Sequence, residues 1–241
     1  MDMKTNILCG FAVLAAVSLF AAGMNPQAEV KSAAAALAGQ DSYSWTATVE
    51  VANNSRFRPG PTEGQTQKGG LTCLKMSFGG NESEAVLSGT NGAIKTEDDG
   101  WLSLAEAAKD DGGGFNPTVF LARMMENFKL PAAQAAELAN ETKDLTADTN
   151  GISGELTEAG AKSLLTFRGR NRGEGPAVSN AKGSARFWIT DGKLSKYQVH
   201  VLGTVSFNGN DRDVDRTTTV VIKDVNSTKV VIPDEARKKL Q

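Results

Sequence analysis

The chain has 241 residues, 40% of them hydrophobic and 22% charged, with a net charge of −2. That length suits one domain with a sizeable core, and the near-neutral balance speaks against nucleic acid or an anionic surface as the main partner. Of the two cysteines, Cys9 falls in the N-terminal apolar run, which leaves Cys73 without an intramolecular disulfide partner and stability to come from packing.

Lys4 precedes an apolar or small run from Ile7 to Gly23, with small residues at Ala21 and Gly23. This pattern predicts a secretory signal peptide over residues 1–23 and a single exported domain over 24–241, periplasmic or extracellular. A retained anchor is the competing reading, because the run is barely long enough to span a bilayer. Cys9 lies near the start of the run, whereas a lipobox cysteine would follow it, so lipidation is not expected.

Val30 to Ala38 predicts a short helix. In YSWTATVEV, Tyr43, Trp45, Ala47, Val49 and Val51 alternate with polar residues, which predicts a strand with one apolar face. Asn53 to Gly70 is rich in Gly, Pro, Asn and Gln and predicts a loop or ragged hairpin. In the next strand Leu74, Met76 and Phe78 share a face. Asn91-Gly92, Asp99-Gly100, Asn150-Gly151 and Asp191-Gly192 are turn signals between strand-like runs, and repeated hairpins mean an antiparallel sheet.

The middle of the chain has helical composition: Trp101 to Lys109, Asn116 to Phe128, Pro131 to Asn140 and Glu158 to Phe167. Asn116 and Pro117 suit the N-cap and N1 positions, which places Phe120, Met124 and Phe128 on one stripe with Leu121 and Met125 beside it. Gly169 to Gly183 predicts a glycine-rich basic loop. After it the chain returns to long strands, and Pro233 to Glu235 start a terminal helical turn ending in Arg237, Lys238 and Lys239.

The longest strand signal is KYQVHVLGTVSF. Tyr197, Val199, Val201, Gly203, Val205 and Phe207 fall on one side, and a nearly all-polar set on the other, over roughly 40 Å at about 3.3 Å per residue. The preceding hairpin has two registers. A two-residue loop pairs Ile189 with Leu194, whereas a three-residue loop with a bulge at Gly192 pairs Trp188 with Leu194, Phe187 with Ser195 and Ala185 with Tyr197. The second puts Ala185, Phe187 and Ile189 on the face of Tyr197, Val199 and Val201, so it is the register expected here.

No residue set declares a chemistry. His200, the single histidine, falls on the wet side and has no sequence-patterned partners for a triad or metal cluster. Asp211, Asp213 and Asp215 have the spacing of an EF-hand start, but Arg216 stands where that loop needs Gly and Ile222 where it needs Glu, which leaves a charged hairpin tip. Asp98-Asp99 and Asp110-Asp111 sit among glycines, where both charges stay hydrated. Arg168, Arg170 and Arg172 read as a solvated run, and Cys73 as an unreactive thiol. The sequence thus predicts no catalytic site, metal or cofactor.

The apolar faces are more informative, since each large side chain gains roughly 1.5 to 3 kcal/mol on burial and the helices must cover them. This predicts an α+β fold in which a long, curved antiparallel sheet holds helices on its apolar concave face. Between the layers either a closed core or a ligand cavity is possible. The cavity residues would be Tyr43, Trp45 and Val49 from the first strand, Phe120, Met124 and Phe128 from the helix, and Phe187, Tyr197, Val199, Val201 and Val205 from the hairpin.

The order of signal peptide, YSWTATVEV strand, mid-chain helices, GSARFWITDGKLSKYQVHV hairpin and final VVIPDEARKKL resembles the periplasmic lipoprotein-carrier superfamily that includes LolA and the mycobacterial LppX/LprG lipoproteins. The resemblance covers Val30 to Leu240. It implies an incomplete barrel wrapped around helices, with acyl chains of a lipid or acylated protein held between them by a non-catalytic monomer. Unlike the LppX/LprG branch, this chain lacks a lipobox cysteine, so no membrane tether is implied. The same fold also serves envelope-stress sensors, which implies the alternative of a protein-interaction module with a closed core and an envelope protein partner.

Overall fold

The computed structural model describes residues 25–52, 59–78, 81–96, 99–109, 116–166, 176–207 and 209–240. Residues 1–23, where a signal peptide is expected, Asp98, Asp110-Asp111 and Arg168, Arg170 and Arg172 lie outside the described residues.

The strands are β1 (Ser42–Val51), β2 (Pro59–Gln67), β3 (Leu71–Phe78), β4 (Asn81–Ser88), β5 (Asn91–Thr96) and β6 (Gly100–Ser103), then β7 (Thr142–Asp148), β8 (Gly151–Leu156), β9 (Ala177–Thr190), β10 (Lys193–Phe207) and β11 (Asn210–Lys223). They form one 11-stranded sheet in the order β6-β5-β4-β3-β2-β1-β11-β10-β9-β8-β7. Every neighbouring pair is antiparallel. The sheet is therefore two meanders joined at a β1–β11 seam. A closed barrel would also pair β6 with β7, but there the chain carries α2 (Leu104–Ala107), α3 (Pro117–Glu126) and α4 (Pro131–Asn140) instead. The sheet therefore ends at β6 and β7 and is not closed into a barrel.

Five helices contribute to the main core. α1 (Pro26–Ala38) is capped by Asn25, whose side chain accepts from the Gln27 amide, and it buries Val30, Ala33, Ala34 and Leu37, the i, i+3, i+4, i+7 stripe of an amphipathic helix. α4 buries Ala132, Ala135, Leu138 and Ala139. These small side chains let the two helices lie close, and Gln27 Nε2 reaches the Ala139 carbonyl at 2.7 Å. α3 begins as predicted, with Asn116 Oδ1 accepting from the Thr118 and Val119 amides at 2.9 and 3.3 Å and Pro117 at N1. α5 (Glu158–Leu165) is capped by Thr157, which accepts from the Gly160 amide at 3.0 Å.

The α+β class, the open antiparallel sheet and the helices on its apolar face are as the sequence predicts; the seat of α6 (Asp234–Lys239), for which the sequence gives no placement, is new. The helix packs on the opposite face, where Ala236 forms a second small cluster with Val86, Ala93 and Trp101, flanked by Cys73 and Ile232. Burial raises the pKa of the Cys73 thiol, with the Glu84 charge adding to the effect.

Other local corrections follow from pairing. Residues 59–67 form β2 although they read as a loop, because β1 and β3 flank them on both sides. Trp101 to Ser103 belong to β6, paired with β5, and only Leu104–Ala107 is helical. β9 begins at Ala177, inside the predicted basic loop. Gly92 lies within β5 rather than in a turn; a Cβ there would come within 2.7 Å of both Leu104 and Leu87 side chains, so its role is close packing.

The β9–β10 hairpin overturns the predicted register. Asp191 and Gly192 both have positive φ, 50° and 71°, and close a two-residue loop in which Thr190 faces Lys193 and Ile189 faces Leu194. A bulge at Ser195 then shifts the pairing, so that Trp188 faces Lys196, Phe187 faces Tyr197 and Ala185 faces Val199. The Ser195 hydroxyl donates to the Trp188 carbonyl at 3.1 Å. One inserted residue restores the match of faces, so Ala185, Phe187, Tyr197, Val199 and Val201 still share the inner side, with partners two residues away from those expected.

Candidate functional site

Trp45 owes its position to a glycine. Gly64 faces it across the β1–β2 ladder, and a Cβ on Gly64 would lie 2.1 Å from the indole. The ring thus lies flat over the neighbouring strand, stacked on Phe128 with centroids 6.2 Å apart and planes 19° apart. Tyr43, two residues back on the same face, tilts against Trp45 at 5.8 Å.

The remaining predicted lining residues divide by depth. Phe187 is 0% exposed, and Tyr197 and Val201 are 1% each, all packed in the main core with Val199. Met124, Phe128 and Val205 are partly buried against that core. Phe120 and Val49 are half-buried. On α3 the fully buried stripe is Leu121, Ala122 and Met125, one residue round from the predicted one, which puts Met124 and Phe128 on its flank. The structure brings Tyr43, Trp45 and Phe128 together and sets Val49 and Val205 further along the sheet.

Beside this aromatic group the apolar layer opens to solvent. A pocket of about 260 Å3 lies between the end of α1, the start of β1, the β2–β3 turn and the start of α4, bordered by Ala38, Tyr43, Thr66, Lys68, Leu130 and Ala132. Tyr43 is 3% exposed. Its hydroxyl is buried, its oxygen turned towards the Ala132 N–H and its own O–H without an acceptor. Burial pushes its pKa up to about 12, opposed by the backbone amide of Ala132. Tyr197 makes the contrast: its hydroxyl donates to Gln134 Oε1 at 2.6 Å, while Gln134 Nε2 donates to the Lys129 carbonyl at 2.9 Å. Burial raises the Tyr197 pKa as well, and the neighbouring Tyr43 adds to this.

Arg216, read from the sequence only as an EF-hand mismatch, stands opposite Val201 and Val51 on the inner side of β11. Its guanidinium donates to the Leu164 carbonyl in the last turn of α5, where the helix dipole favours a cation. Burial lowers its pKa. On the polar face, His200 Nε2 lies 2.8 Å from Asp215 Oδ1, and Thr204 donates to Asp213 at 2.8 Å. No metal-ligand cluster occurs among the described residues, and no helix among them is long and apolar enough to cross a membrane.

Sequence reasoning placed Tyr43 on the apolar face but missed Leu130, Ala132 and Gln134, since a run of alanines carries no chemical signal beyond helix propensity. No family model matches the sequence, and no curated protein matches it. Among solved structures, LprF from Mycobacterium bovis is similar over 88% of this chain and 97% of its own, at 11% identity and a TM-score of 0.42. The Mycobacterium tuberculosis lipoprotein LppX is similar over 86% of this chain and 97% of its own, at 12% identity and a TM-score of 0.42.

Proposed function

We propose that this is an exported, non-catalytic protein that binds an acyl chain of a lipid or acylated protein between sheet and helices. The observation that carries the reading is the pocket of about 260 Å3 at which the inner apolar layer meets solvent at Tyr43, whose ring packs against Trp45. An acyl chain entering there displaces Phe128 from its stack on Trp45 and runs inward along β1, gaining about 0.8 kcal/mol per buried methylene. Met124 and Leu130, both partly buried at this edge of the core, are flexible enough to repack around it.

A second reading, an envelope sensor or interaction module with a closed core, is favoured by the full burial of Phe187, Tyr197 and Val201. Native mass spectrometry of the mature secreted protein separates the two. The carrier reading expects an added mass of one acyl lipid, removed by delipidation and regained on incubation with palmitate. A single lipid-free mass before and after incubation sinks it and favours the interaction module.

A further inference from the structure

The pocket next to Tyr43 holds hydrogen-bond donors that lack acceptors. α4 runs for 10 residues and has Leu130 at its N-cap, which gives no side-chain cap, and Pro131 at N1. The amide of Gln134 is the first to bond within the helix, to the Leu130 carbonyl at 3.0 Å, so the Ala132 and Ala133 N–H groups have no intrahelical acceptor. The Tyr43 oxygen is turned towards the Ala132 N–H, which leaves the buried Tyr43 O–H without an acceptor and the Ala133 N–H uncommitted. Two nearby polar side chains are committed elsewhere: Gln134 to Tyr197 and the Lys129 carbonyl, and Thr66 to Thr72 and the Leu71 carbonyl. Lys68 at the rim carries positive charge, paired at 3.5 Å with an exposed Asp41.

A buried donor without an acceptor costs free energy, and a helix N-terminus attracts negative charge. We infer that the N-terminus of α4 and the Tyr43 hydroxyl form a receptor for the head oxygen of the acyl ligand, a carboxylate or an ester carbonyl. This deepens the acyl-binding reading and rests on it. The head oxygen accepts from the Tyr43 O–H and the Ala133 N–H, Lys68 adds charge at the rim, and the chain points inward past Trp45. Recognition is then by the head as well as by apolar burial.

The test compares the delipidated mature protein with its Tyr43→Phe and Leu130→Asp variants in equilibrium dialysis against palmitate, methyl palmitate and hexadecane. Tyr43→Phe removes one hydroxyl, and palmitate binding is expected to weaken roughly tenfold or more, as for a hydrogen bond to a charged group, with hexadecane unchanged. Leu130→Asp supplies a built-in cap carboxylate, which competes for the same amides and repels the ligand's charge but also removes a partly buried apolar side chain, so palmitate binding is expected to fall further than hexadecane binding, the control for the lost contact. Loss confined to palmitate assigns a free carboxylate head; equal loss for methyl palmitate assigns an ester carbonyl. Unchanged binding of both by Tyr43→Phe overturns the receptor and leaves acyl binding intact. Failure of the unmutated protein to take up any of the three, hexadecane included, overturns both readings.

Discussion

At the scale of single residues the aromatic corner depends on one missing side chain. Gly64 has no steric room for a Cβ because the Trp45 indole occupies it, and the indole is held by Phe128 on its other side. Gly64→Ala must therefore move a rigid ring. We expect it to cost about 1–3 kcal/mol, the usual range for overpacking, and to lower Tm by roughly 3–10 °C. Trp45 emission should shift to the red as the ring leaves its stack; an unchanged spectrum and melt would show that the corner has slack. Half of this corner was legible: the alternation in YSWTATVEV puts Tyr43 and Trp45 on the inner face. The orphaned Tyr43 hydroxyl was not, because it depends on which residue of α4 comes to rest beside it, and nothing in PAAQAAELAN announces an uncapped start next to a tyrosine.

At the scale of elements, the strands with clear alternation were legible and those defined by their neighbours were not. PGPTEGQTQ has no apolar face of its own, yet it becomes β2 because β1 and β3 satisfy its backbone groups on both edges. WLSLAEAAK has helical propensity, but Trp101 to Ser103 gain more by pairing with β5 and closing the second cluster. α6 was legible as a helix, though its seat was not. Its Lys239 reaches the Glu106 carboxylate at 2.9 Å, across from the Ser103–Glu106 capping box of α2. The Glu106 pKa drops from an ordinary 4.5 to about 2, mainly through the Ser103 backbone bond and then through Lys239. A depressed carboxylate stabilises above its ordinary pKa and loses that contribution as pH falls towards its folded value. The contact between α6 and α2 should thus weaken progressively between about pH 4.5 and 2. Fluorescence of Trp101, buried beside Ala236, reports it, and Glu106→Gln should flatten the acid transition; an identical transition in the variant would place the acid-sensitive groups elsewhere.

At the scale of the whole molecule, the sheet has one pairing that differs in kind from the other nine. Nine of the ten ladders join strands that are neighbours in sequence, while the β1–β11 seam joins residues 44–51 to residues 216–223. Local hairpins close short loops and can form early, whereas the seam must close nearly the whole described chain before its contacts repay the lost entropy. The long β9–β10–β11 meander, with its Phe187–Tyr197 and Tyr197–Val220 pairs, supplies apolar contacts at short separation and is the natural nucleus. Val199→Ala removes core contacts inside that meander and should slow folding while changing unfolding little. Ala47→Gly weakens β1 opposite Val220 at the seam, at a cost of about 0.5–1 kcal/mol, and should leave folding unchanged while speeding unfolding. Stopped-flow tryptophan fluorescence across a denaturant series measures both limbs. If Ala47→Gly slows folding as much as Val199→Ala does, the seam is already formed in the transition state, and the two meanders assemble together rather than in sequence.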